Sequence, residues 1–142
     1  MLSRTFLWPQ GYTSAAMISV NLDAEFYGRI FYPGIDVSEG DIQRLGWTGM
    51  EYGLPHLLDC FREHGVKGTF FIPGRVAELY PDAVRAIADA GHELGCHGYE
   101  HEILAHFTPE EQLELLKKAK AAIEKAAGRA VTGFRMPEGE IT

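Results

Sequence analysis

His97 and His101 stand four residues apart in Cys96-His97-Gly98-Tyr99-Glu100-His101, directly after the short apolar run that ends at Cys96. Two imidazoles at this spacing can face one way and share a divalent metal. A third ligand is available in Asp23, just past the apolar stretch Ala15–Leu22. An Asp/His/His set leaves a coordination position open, which is the arrangement of a catalytic rather than a structural zinc site. Zinc is the first expectation, and cobalt, nickel or ferrous iron would accept the same donors. Water on such an ion has its pKa lowered toward ~7 and can attack a carbonyl. The competing reading of Asp23 is a plain turn cap.

The elements that would position these residues alternate regularly. Ala15–Leu22 reads as a strand apolar enough for burial on both faces. Phe26 to Met50 shows no clear period and carries Phe26, Tyr27, Phe31, Tyr32 and Trp47. It reads as a long functional loop, a lid or substrate wall, or a subunit contact. Pro55 to His64 is a helix with the stripe Leu54, Leu57, Leu58 and Phe61, stopped by Gly65. Val66–Ile72 is a strand. Arg75–Ala90 is helical, interrupted at Tyr80-Pro81, and Glu93–Cys96 is the third strand. Thr108, Pro109 and Glu111 form a capping box opening a helix to about Ala127, with Leu113, Leu116, Ala119, Ile123 and Ala126 inward and Gly128 as its stop. Val131–Arg135 is a fourth strand. This order predicts an α/β fold with a parallel sheet and right-handed crossovers. Asp23, the histidine pair and Arg135 then all fall at carboxyl ends of strands, where chemistry gathers in such sheets.

The chain has 142 residues, the size of one domain, and a formal charge of −7. No basic run or basic-aromatic stripe is present, which argues against nucleic acid and anionic membrane surfaces as partners. No window reaches the ~18 apolar residues of a membrane span. Met1 to Gln10 lacks an apolar export signal core, so a cytoplasmic location is expected. Cys60 and Cys96 are read as reduced, buried thiols, with Cys96 as a metal ligand the lesser reading. His56, His64, His92 and His106 are read as surface or helix-end imidazoles, His106 lying close enough to the pair to support it from outside.

Asn21-Leu22-Asp23-Ala24-Glu25, His97-Gly98-Tyr99-Glu100-His101 and Arg135-Met136-Pro137-Glu138-Gly139 resemble the first three motifs of the polysaccharide deacetylases, the NodB-homology family. Trp8-Pro9-Gln10-Gly11 is similar to the subgroup holding intracellular-type peptidoglycan deacetylases and cyclic-imide or allantoin hydrolases. The resemblance implies a distorted (β/α) barrel, here an N-terminal portion over residues 1–142 reaching about the fourth strand. It implies hydrolysis of an amide, usually an N-acetyl group on an amino-sugar polymer, or of a small cyclic amide. Asp23, His97 and His101 would hold the metal. Asn21 occupies the position of the general base, Arg135 would orient that base, and the backbone amide of Glu138 would help hold the oxyanion. Asn21 cannot accept a proton as a carboxylate does, and the late motifs that carry the acid are absent. Either the ion's hydroxide works unassisted, or Glu25 substitutes, or the chain is a metal- and carbohydrate-binding pseudoenzyme. An open parallel edge would invite pairing with a second copy, so a homo-oligomer is expected.

Overall fold

The computed structural model describes residues 8–27 and 38–139. Four parallel strands, β1 (Ser19–Asn21), β2 (Thr69–Ile72), β3 (Glu93–Cys96) and β4 (Gly133–Phe134), form one sheet in the order β1-β2-β3-β4. The register pairs Val20 with Phe70, Phe70 with Leu94, and Cys96 with Phe134. Between the strands lie α1 (Glu39–Thr48), α2 (Leu54–Glu63), α3 (Gly74–Leu79), α4 (Pro81–Asp89) and α5 (Pro109–Ala127). This is the alternating α/β order expected, laid out as part of a barrel.

The inner strands are buried because their residues are apolar on both faces: Phe70 and Ile72 are fully buried and Leu94 nearly so. Each contributes roughly 1.5–3 kcal/mol from burial. Val76, Val84, Ile87, Ala119 and Ile123 cover them from α3, α4 and α5. Gly74 makes the α3–α5 approach possible, since a Cβ there would lie 2.5 Å from Ala119 Cα. The capping box at α5 is present: Glu111 N donates to Thr108 Oγ1, and Thr108 N donates to the Glu111 carboxylate. Gly128 ends the helix in the left-handed conformation (φ 68°).

Several expectations change. The first strand is shorter and lies at the sheet edge, with Met17 and Ile18 exposed, so it is not buried on both faces. Within the span 26–50 read as a loop, the described residues hold α1. Ser38 caps it, its Oγ accepting from Asp41 N. A π-helical turn, Gly49–Gly53, joins it to α2. Phe31 and Tyr32 lie outside the described residues. The helix carries little apolar periodicity because its buried contact is made by a glycine. A Cβ at Gly46 would lie 2.4 Å from Glu25 N and 2.8 Å from Ala24 C. Leu113 faces solvent and Leu115 packs inward in its place, while Leu116 packs against the core as expected. Cys60 is exposed, while Cys96 is buried as expected. His92 is a core residue, not a surface one. It accepts from Gly68 N (3.1 Å) and packs between Phe61 and Phe70, and burial holds its pKa below the usual value.

Candidate metal centre

The sheet's hydrogen bonding continues one residue past its carboxyl edge and carries the site with it. Leu22 N donates to Phe71 O, His97 N to Ile72 O, and Arg135 N to Cys96 O. The strand-end residues of β1, β3 and β4 are thereby fixed side by side. The histidine pair does not converge through a helix. The loop after β3 turns through Gly98 (φ 73°) and His101 (φ 61°), both left-handed. Gly74 N and Arg75 N donate to Gly98 O and Tyr99 O, pinning the loop to α3. The Glu102 carboxylate closes it, accepting from Tyr99 N at 2.9 and 3.1 Å and from Glu100 N at 2.6 Å. Sequence reading missed Glu102, since no spacing rule marks a carboxylate that folds back on the turn before it.

Asp23, His97 and His101 meet, with one ligand atom from each lying within 4.8 Å of the others. Asp23 is 8% exposed and the two histidines 1% each. His97 Nε2 lies 3.7 Å from Asp23 Oδ1, and His101 Nε2 3.8 Å from Asp23 Oδ2. These separations are too long for hydrogen bonds. Two ligands about 2.1 Å from one tetrahedral ion stand roughly 3.4 Å apart, close to what is seen. His97 Nε2 and Asp23 Oδ1 are buried without a hydrogen-bond partner among the described residues. Buried polar atoms are rarely left so, and a shared cation satisfies both. His97 Nδ1–H donates to Arg135 O at 2.8 Å, which leaves its Nε2 lone pair directed at Asp23. This is the usual second bond of a metal-binding imidazole. The residues present therefore fit a divalent ion.

Electrostatics agree. Burial, then the nearby Glu138 carboxylate, raises the Asp23 pKa to about 6, against the lowering effect of Arg135. Burial pushes His97 down to about 4 and lowers His101. Both imidazoles are thus neutral near pH 7, the form that binds metal. Cys96, its thiol raised by burial to about 11, turns its sulfur to Gly98 O and stands outside the Asp23, His97 and His101 group.

Arg135 ties the other residues to this set. Its Nη1 donates to Asn21 Oδ1 (2.8 Å), its Nη2 to Ser19 Oγ (2.7 Å), and its guanidinium stacks 4.0 Å over Phe71. Since arginine only donates, the Asn21 oxygen must face it. The Asn21 amide group is then left to donate, never to take a proton. Glu25, the other candidate for that role, is turned toward Tyr80. β1 ends at Asn21, Glu25 lies in the 3-10 turn Ala24–Phe26, and its carboxylate accepts from Tyr80 OH (3.2 Å). The strand that would have aimed Glu25 alongside Asp23 does not continue that far. His106 is exposed and makes none of the described side-chain hydrogen bonds to the site. Tyr27, in contrast, meets His101 edge-on at 6.3 Å. A cleft of 320 Å³ opens beside Asp23, lined by Asn21, Tyr27, Leu45, Met50 and Leu57 among others. Among the described residues no helix is long and apolar enough to cross a membrane.

Residues 46–142 match the family model for polysaccharide deacetylase. A peptidoglycan deacetylase of Helicobacter pylori is 37% identical over 111 residues, covering 78% of this chain and 37% of that protein. A solved structure from Mycobacterium smegmatis, assigned to the polysaccharide deacetylases, superposes with a TM-score of 0.82 at 32% identity, over 96% of this chain and 48% of that one. A mutant CE4 family pseudoenzyme with restored enzymatic activity is similar at 35% identity and a TM-score of 0.63, over 66% of this chain and 34% of that one. Its wild type comes from Bacillus anthracis. The chain thus spans about a third to a half of the length of these relatives.

Proposed function

The chain belongs to the polysaccharide deacetylase family, and from that we propose that it serves a metal-dependent hydrolase acting on a non-peptide amide, foremost the N-acetyl group of an amino-sugar polymer. The observation that carries this reading is the pair of partnerless buried atoms, Asp23 Oδ1 and His97 Nε2, facing each other 3.7 Å apart. Asp23, His97 and His101 would hold the ion, zinc by preference for this donor set, with cobalt, nickel or iron as substitutes. When bound, the ion supplies Lewis acidity toward the carbonyl and acidifies water.

The chain's own residues do the rest. Arg135 holds His97 in its metal-binding tautomer through the main chain and Asn21 through the side chain. Asn21 presents N–H groups, which can orient a water oxygen but cannot remove its proton. The backbone N–H of Glu138, on the turn after β4, is the candidate oxyanion donor. The cleft beside Asp23, walled by Tyr27 and α1, offers an apolar and aromatic surface for a sugar ring. A small cyclic imide would use the same ion and carbonyl chemistry.

A second reading is favoured by one contact, Arg135 to Asn21. With an amide at the base position, the chain binds metal and carbohydrate and turns over weakly or not at all. Loss of a general base typically costs about 10²–10⁴ in rate. The substitution Asn21→Asp separates the two. In the second reading, zinc-loaded Asn21→Asp hydrolyses N-acetylated oligosaccharide at least ~10²-fold faster than the parent protein. Equal rates in both proteins, above background, favour the first reading, in which the site works without that base. No metal bound by either protein rejects both. A cytoplasmic location, and a second copy pairing along the open sheet edge, belong to the same proposal. Cell fractionation and light scattering test them.

A further inference from the structure

Three described residues other than glycine have positive φ, and all three sit at the metal centre: Ala24 (47°), next to Asp23; His101 (61°); and Glu138 (59°). Such backbone conformations persist only where the surrounding structure imposes them, and they concentrate at functional sites. Glycine would adopt this conformation without strain. Position 138, beside Gly139 in a turn with φ of 70°, nevertheless carries a glutamate. Its carboxylate is turned inward: Glu138 Oε1 lies 3.7 Å from His101 Nε2, and the side chain is only 22% exposed. His101 Nε2 therefore stands between two carboxylates, Asp23 Oδ2 at 3.8 Å and Glu138 Oε1 at 3.7 Å.

We propose that the side chain of Glu138 belongs to the metal centre as a second carboxylate, facing the same ion as Asp23, His97 and His101. This rests on the reading that those three residues hold a metal. It adds to the backbone amide of Glu138 a separate role for its side chain. Two carboxylates facing one imidazole repel each other without a cation and are matched by a divalent one. Two carboxylates with two neutral imidazoles balance the ion's charge. An added oxygen donor also widens the site toward metals that accept five or six ligands, such as ferrous iron or cobalt, alongside zinc.

The test is metal affinity, with no activity required. The purified protein and its Glu138→Gln and Glu138→Gly variants are stripped of metal and titrated with zinc by calorimetry. The cobalt-loaded forms are compared by visible absorption. Glu138→Gln keeps the shape and removes the charge, and is expected to weaken zinc binding about 10–100-fold and to change the cobalt spectrum. Glu138→Gly relieves the strained backbone. It is expected to weaken zinc equally while its metal-free melting temperature stays level or rises. Opposite signs for stability and affinity mark a residue kept for the ion. Zinc affinity and cobalt spectrum unchanged in both variants, with the parent binding metal normally, would overturn the inference alone. A parent protein that binds no divalent metal would overturn the site reading and this inference together.

Discussion

Replacing Asp23 by Asn should stabilise the metal-free protein and weaken its response to metal. The carboxylate is 8% exposed, and its pKa is raised from 3.8 to about 6, first by burial and then by Glu138. At ~1.4 kcal/mol per pKa unit, keeping it ionised in the folded state at pH 7 costs about 3 kcal/mol. A raised carboxyl pKa means that the folded state holds its proton more tightly than the unfolded chain. The penalty is therefore absent below pH 3.8, grows as pH rises to about 6, and is complete above it. His97 acts in the opposite sense. Its pKa is lowered from 6.5 to about 4, so its contribution is present above pH 6.5 and is lost as pH falls toward 4. In the parent protein these slopes oppose each other between about pH 4 and 6. In Asp23→Asn only the histidine slope remains. Urea denaturation with chelator present should find Asp23→Asn more stable by about 2–3 kcal/mol at pH 7 and no more stable at pH 3.5. With zinc at ~1,000 times its Kd the parent gains about 4 kcal/mol, the variant far less, and the order reverses. A variant less stable than the parent at pH 7 without metal, or a gain that persists at pH 3.5, would refute the reasoning. Equal zinc stabilisation of both proteins would show that Asp23 is not a ligand.

Gly46→Ala puts a methyl 2.4 Å from Glu25 N, forcing α1 away from the turn that holds Asp23. About 1–3 kcal/mol should be lost on thermal unfolding, with weaker zinc binding by calorimetry. Glu102→Ala removes the acceptor for the N–H groups of Tyr99 and Glu100. Zinc affinity should fall about 10–100-fold as His101 loses its fixed position, with Glu102→Gln restoring part of it. Arg135→Lys cannot reach Asn21 and Ser19 with one fork. Because the bond to His97 comes from the main chain, zinc affinity should be kept. Any turnover by an Asn21→Asp background should drop at least tenfold, read from kcat.

How much of this was legible in the sequence depends on whether the signal is local. The α5 capping box, the break at Tyr80-Pro81, the stripe of α2 and the strand Glu93–Cys96 could all be read directly, because capping and burial periodicity are properties of neighbouring residues. That Asp23, His97 and His101 meet was legible for a related reason. In a parallel sheet the ends of successive strands must lie together, so residues far apart in the chain can be predicted to meet. Helix α1 was not legible, because its inward contact is made by Gly46, and a glycine leaves no hydrophobic signature. His92 was misread as a surface residue because a lone histidine in sequence carries no sign of the Gly68 N–H that satisfies it in the core. Only the tertiary structure could show that Arg135 reaches across 114 residues to orient Asn21, that Glu25 turns away to Tyr80, and that the Glu138 side chain enters the site. Those outcomes depend on where β1 stops and on left-handed turns at His101 and Glu138, which packing imposes against the residues' own preferences. The sequence by itself determined which atoms could bind a metal. The fold decided how they face, which carboxylates stand with them, and that Arg135 holds the Asn21 amide oxygen.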